Sequence, residues 1–232
     1  TKILKYPIPR VLNAMALRDY TDVASGEAVR RAGESKKSSE TIPQSKNMSK
    51  ERLDQLSSIY GVDVSHHNGN INWVGMKKNP VEIGFAIMKI TQGNHLYSGT
   101  YDRYNFVKNV NEAKANGVEV TFYHFAEFGR TTNPTDDAIA DADYFISKVA
   151  LFEKPKLPVA LDLEMLCFEQ VKTYKWSNRE ADVKTYVQKW IQLVEAAGYD
   201  VMIYTAPQYI QDVSTDYLSS YPLWWARPTN VN

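Results

Sequence analysis

Beyond about residue 58, short apolar runs alternate with longer stretches in which apolar positions recur every three or four residues. The short runs at 59–65, 85–90, 118–125, 157–164, 201–205 and 223–226 are read as strands. The stretches between them are read as helices. Residues 73–79 form a short one that stops at Pro80. Residues 104–116 place Phe106, Val107, Val110 and Ala113 on one side and end at Gly117. Residues 136–149 carry a stripe of Ile139, Ala142, Phe145, Ile146 and Val149, and residues 182–197 end at Gly198. Strands separated by helices of ten or more residues make βα units, so a mostly parallel sheet of the α/β class is expected.

The first 57 residues are different material. Residues 1–20 mix aliphatic and basic side chains, Pro7 and Pro9 interrupt the start, and 13–20 read as a short helix. Residues 21–50 are rich in Ser, Lys and Glu and bury too little apolar surface to offset their ordering entropy. Ser49-Lys-Glu-Arg52 reads as a helix start leading into Leu53 and Leu56. The chain is therefore divided into an N-terminal arm over 1–57, partly helical or disordered, and a βα domain over 58–232.

Charge supports that division. Residues 1–50 hold ten Lys/Arg against five Asp/Glu (+5), and the remainder holds 17 against 22 (−5). An acidic main domain argues against nucleic-acid binding. No apolar run reaches the ~20 residues of a membrane-spanning helix. One cysteine, Cys167, leaves no internal disulfide framework and no multi-cysteine metal site; it is read as a buried neutral thiol. Four histidines without ligand spacing point to no zinc centre, and no cofactor is expected. The 15 Tyr and 5 Trp supply amphipathic rings of the kind that line carbohydrate clefts.

The run Leu157-Pro-Val-Ala-Leu-Asp-Leu-Glu164 organises the rest. On a strand, Asp162 and Glu164 face one way and Leu161 and Leu163 the other. Two acids on such a run are costly unless paired, solvated or used. They could simply meet solvent and cap the next loop. The other strand ends tell against that. In order they carry Asp63 with His66 and His67, then Lys89 with Gln92, then Tyr123 with His124 and Glu127. Asp162 with Glu164, Tyr204, and Trp224 with Trp225 and Arg227 follow. If the sheet closes into a barrel, its working face is at those C-terminal ends. Carboxylates flanked by rings suit glycosidic bond cleavage, in which one acid protonates the leaving oxygen while charge at the sugar carbon is stabilised. Crowding Asp162 beside Glu164 raises one carboxyl, and the raised one is the natural proton donor.

The residues resemble a known family. Tyr60-Gly-Val-Asp-Val-Ser-His-His-Asn-Gly-Asn-Ile-Asn-Trp73 is similar to the opening strand and loop of family 25 glycoside hydrolases, the Chalaropsis-type lysozymes that include phage endolysins. Phe85-Ala-Ile-Met-Lys-Ile-Thr-Gln-Gly93, Thr121-Phe-Tyr-His-Phe125, Leu161-Asp-Leu-Glu164, Ile203-Tyr-Thr205 and Leu223-Trp-Trp-Ala226 are similar to the next five segments in order, so the likeness covers about 58–228. It implies an irregular TIM-like (β/α) barrel. It also implies an N-acetylmuramidase that cuts the β-1,4 link from N-acetylmuramic acid to N-acetylglucosamine in peptidoglycan. By position, Glu164 is implied as general acid, Asp162 as the group that orients the substrate acetamido, and Asp63 as the third acid. Tyr123, Tyr204 and Trp225 are implied as sugar contacts, with Lys89 and Gln92 beside them. Retention through the acetamido group is the implied route.

Two departures stand out. The family usually has an acid where this chain has Gln92. Its chains also continue into a Trp-Gln strand and a final strand with another cleft Asp, which this sequence lacks, so the barrel is expected to want its last strands and to leave two open edges. A non-catalytic glycan-binding module, or a structural part of a phage tail or virion docked through residues 1–57, are the competing readings. The expected place of action is a virion or the bacterial cell wall, reached by release or secretion. A chitinase-like reading is set aside because the longer DxxDxDxE acid run is absent.

Overall fold

The computed structural model describes residues 3–7, 60–77, 83–95, 97–98, 103–164, 175–176, 178–206 and 220–225. The strands are β1 (Ile3–Pro7), β2 (Tyr60–Val64), β3 (Ile83–Gln92), β4 (Glu119–Phe125), β5 (Val159–Leu163), β6 (Val201–Thr205) and β7 (Leu223–Trp225). The helices are α1 (Trp73–Lys77), α2 (Arg103–Ala115), α3 (Pro134–Val149) and α4 (Arg179–Ala196). One seven-stranded sheet runs in the order β1 to β7. β2 to β7 are parallel and β1 is antiparallel to β2.

The sheet is curled. Tyr123 on β4 and Trp224 on β7 are separated by two intervening strands, about 14 Å if the sheet were flat at ~4.8 Å per strand. Their ring centroids are 6.1 Å apart, so the strands between bow outward and the two rings meet on a concave face. That face holds an inner apolar cluster of Phe85, Ile87, Tyr123, Ala160, Met202 and Trp224. The larger core lies on the convex side, between the sheet and the helices, and includes Val62, Met88, Phe122, Leu161, Phe145, Tyr186 and Trp190. Trp73, Trp176 and Trp190 are all buried there, as packing residues should be.

Local chemistry sets most boundaries. α3 begins two residues before the sequence-based start because Asn133 caps it, accepting from the Thr135 backbone N–H, and Pro134 takes the first turn. Asn178 caps α4 in the same way. β3 is longer than its apolar run suggested, reaching from Ile83 to Gln92, with a bulge between Lys89 and Thr91. At the edge of the sheet, β1 comes from the segment read as an arm and lies along β2, so that edge is covered. Pro7 ends β1 on the outermost strand of the sheet, a place where proline is tolerated. The helices expected at 13–20 and around Ser49 lie outside the described residues, as do Cys167 and Arg227.

Gly61 marks a close approach. A Cβ there would stand 1.7 Å from the Phe85 ring, which lies over the bare backbone of β2. Gly61→Ala is expected to push that ring out of the inner cluster and cost ~1–3 kcal/mol. Denaturant melts of the variant would show it as a lower midpoint at unchanged slope.

Candidate active site

Alternation along β5 decides where the acids point. Val159, Leu161 and Leu163 belong to the convex core and Ala160 to the inner cluster. Asp162, and Glu164 just past the strand end, therefore face the concave side. The same argument applies to β2, where Val62 and Val64 lie in the convex core and Asp63 between them faces inward. In the ladder, Asp162 sits between Phe125 of β4 and Tyr204 of β6. Tyr204 is opposite Trp224, with ring centroids 4.4 Å apart.

Electrostatics ties these groups together. Asp162 is only 4% exposed. Burial holds its carboxyl well above the usual range, the Glu164 and Asp63 charges push it the same way, and the Lys89 ammonium opposes them. Glu164 is half-buried. Burial raises its carboxyl too, against the pull of Lys89 and a hydrogen bond from the Tyr204 hydroxyl. Tyr123 and Tyr204 are raised above the ordinary phenol range, by burial first and then by Asp63, Asp162 and Glu164. Acids from β2 and β5 thus act on the same two rings from β4 and β6. Both phenols stay protonated and can donate.

The bulge in β3 shapes the other wall. In an unbroken strand, residues three apart point to opposite faces. The extra residue between Lys89 and Thr91 resets the phase. Lys89 Nζ donates to Gln92 Oε1 at 2.6 Å, and Gln92 Nε2 donates to Glu127 Oε1 at 2.8 Å. Thr91 turns the other way and its hydroxyl lies 2.8 Å from His124 Nδ1. His124 is fully buried, with Nε2 3.3 Å from Asp141 and 3.4 Å from the Tyr186 hydroxyl, and Tyr186 donates to Asp141 at 2.5 Å. Arg130 also donates to Asp141. His124 is a convex-side hydrogen-bonding residue that anchors α3 and α4 behind the cleft.

Two neighbouring carboxyls that burial raises, a cation beside them and a wall of rings can protonate an ether oxygen and stabilise the positive charge that follows. Among the described residues no three His, Cys, Asp or Glu side chains are set to hold a metal ion.

The family model for glycosyl hydrolases family 25 matches residues 62–230. The chain belongs to this family. The chain is similar to the autolytic lysozyme of Clostridium acetobutylicum, 24% identical over 167 residues, which cover 72% of this chain and 44% of that protein. It is similar to lysozyme M1 of Streptomyces globisporus, 33% identical over 110 residues, covering 47% of this chain and 33% of that one. The chain thus spans less than half the length of these curated relatives. Among solved structures, the CTP1L endolysin superposes with a TM-score of 0.53 at 25% identity, over 72% of this chain and 52% of that one.

Within the family 25 domain, Asp63, Asp162, Glu164, Lys89, Tyr123 and Tyr204 lie on one face, and Gln92 joins them through Lys89. Burial raises both Asp162 and Glu164, whereas the sequence reading expected one raised carboxyl, the donor, assigned as Glu164. Glu164 is the more open of the two. Trp225 is opposite Thr205 in the ladder and its side chain lies outside the described residues. Trp224 is the indole that packs on Tyr204. Two-residue alternation against β6 is the signal that separates these adjacent tryptophans. Glu127, noted on the rim and given no role, proves to contact Gln92.

Proposed function

We propose that the domain is a peptidoglycan hydrolase, an N-acetylmuramidase that cleaves the β-1,4 bond from N-acetylmuramic acid to N-acetylglucosamine. The observation that carries the reading is the convergence of Asp63, Asp162 and Glu164 on one concave face beside Tyr123 and Tyr204. The lysozyme names of the curated relatives support the substrate, and the bacterial cell wall is the place of action this implies.

In this reading Glu164 donates its proton to the glycosidic oxygen as the C–O bond breaks. Asp162 accepts a hydrogen bond from the acetamido N–H of the sugar on the cleaved side. The acetamido carbonyl oxygen then bonds to the anomeric carbon from the opposite face, giving a cyclic intermediate. Water, giving its proton to the Glu164 carboxylate, reopens it with overall retention. Asp63 balances charge across the cleft, and the Tyr204 hydroxyl holds Glu164 in place. Tyr123 and Trp224 form the apolar wall for the sugar ring.

New reducing ends released from purified peptidoglycan test this. Soluble fragments with new reducing ends support the reading. Binding of the glycan without new ends would replace it with a binding module. Residues 1–57 as a tether to a phage tail, or a secreted placement, are further parts of the reading. Replacing residues 8–57 by an unrelated flexible linker, which keeps β1 beside β2, should leave hydrolysis of soluble glycan intact while weakening any such attachment.

A further inference from the structure

We propose that Glu127, acting through Gln92, is a positioning residue that holds the Lys89 ammonium against the acid cluster. The inference rests on the hydrolase reading above and concerns how this chain keeps its cleft cation in place with no acid at position 92.

Lys89 and Glu127 are each 8% exposed. Between them stands one amide, 2.6 Å from the ammonium and 2.8 Å from the carboxylate. An ammonium only donates and an ionised carboxylate only accepts. The amide oxygen must therefore face Lys89 and the amide N–H₂ must face Glu127, so the carboxylate fixes which end of Gln92 the lysine meets. A Glu at position 92 could accept from Lys89 but has no proton to give Glu127. Gln92 and Glu127 are thus matched to one another.

The surroundings keep Glu127 in place. A Cβ on Gly93 would stand 2.5 Å from Glu127 Oε2 and 2.8 Å from Arg130 Nη1, so both side chains press on bare backbone. Gly93 has φ +50°, a conformation glycine accepts readily. Its N–H donates to Phe125 O at 3.0 Å, which ties the end of β3 to β4. His95 Nδ1 lies 3.5 Å from the other carboxylate oxygen. At the far end of the relay, Lys89 Nζ lies 4.3 Å from the Phe125 ring centroid, and Phe125 is the ladder partner of Asp162. The relay runs from the β4–α3 loop to the catalytic strand.

The test compares hydrolysis of soluble glycan by four variants, each checked for an unchanged far-ultraviolet spectrum. Glu127→Leu removes the acceptor and should lower kcat by ~10²-fold with little change in KM, as expected when a catalytic group is displaced by about an ångström. Glu127→Gln keeps an acceptor and should stay near wild type. Gln92→Glu should fall like Glu127→Leu. The double variant Gln92→Glu/Glu127→Gln restores a donor facing an acceptor and should recover most of the loss. Full kcat in Gln92→Glu, or a double variant no better than that single one, overturns the proposal. A second readout stands apart from activity. The Gln92 side-chain amide protons should exchange slowly in wild type and in Glu127→Gln and fast in Glu127→Leu. Equal exchange in wild type and Glu127→Leu overturns the relay even if the wild-type chain proves to cut no glycan. Slow exchange in a chain that cuts nothing supports the relay and leaves only the hydrolase reading refuted.

Discussion

Glu164→Gln is expected to lose ~10²–10⁴-fold or more in glycan hydrolysis while melting close to wild type. The loss follows from the loss of the proton. An amide cannot donate to a leaving oxygen and recover that proton from water. The fold is spared because the change is isosteric and Glu164 lies past the end of β5, half-buried rather than packed in the core. Gln can still accept from the Tyr204 hydroxyl. The pH profile carries the same information. Burial raises Glu164 above the usual carboxylate range, while Lys89 and Tyr204 restrain the shift. Hydrolysis should therefore persist to pH values above those at which an ordinary Glu has lost its proton, then fall as Glu164 ionises. A variant with undiminished activity would remove Glu164 from the mechanism.

Asp162→Asn is expected to cut hydrolysis ~10²–10³-fold, the usual cost of losing one aimed electrostatic group, and to raise stability at neutral pH. The second effect has a definite sign. The folded carboxyl binds its proton more tightly than an unfolded Asp, because burial and the charges of Glu164 and Asp63 disfavour the anion. Stability from this group is fully present below the ordinary Asp range and is lost as pH rises through the folded value. Asn has no proton to lose. The variant's advantage should be absent near pH 3, grow upward from there and level off above the folded value. A stabilising substitution commonly adds ~0.5–2 kcal/mol, and for a chain of this size each kcal/mol is ~2–4 °C. Paired thermal melts across that pH range measure it. A variant less stable than wild type at neutral pH would mean that Asp162 is anchored by favourable contacts rather than held at a cost.

Most of this site was legible because it is built on alternation. Asp162 and Glu164 on one face with Leu161 and Leu163 on the other is a two-residue pattern, and β5 folds accordingly. Asp63 between Val62 and Val64 is read in the same way. What escaped was non-local. A single extra residue in β3 leaves no mark on composition, yet it turns Lys89 and Gln92 to one side and Thr91 to the other. Glu127 stands in a loop beyond β4, where no periodicity reports direction. The pairing of β1 with β2 joins segments more than fifty residues apart, which no local pattern encodes. The start of α3 was different, since Asn133-Pro134 is an explicit cap and first-turn signal that the apolar stripe alone placed two residues late.

Carboxyls from β2 and β5 sharing one cleft should cut a muramic acid linkage. The most direct measurement is the identity of the sugar at the new reducing end. Peptidoglycan digested by the chain is reduced with borohydride, and the terminal sugar is assigned by mass spectrometry. The alditol of N-acetylmuramic acid is the expected product. The alditol of N-acetylglucosamine, or fragments opened only in their peptides, would contradict it.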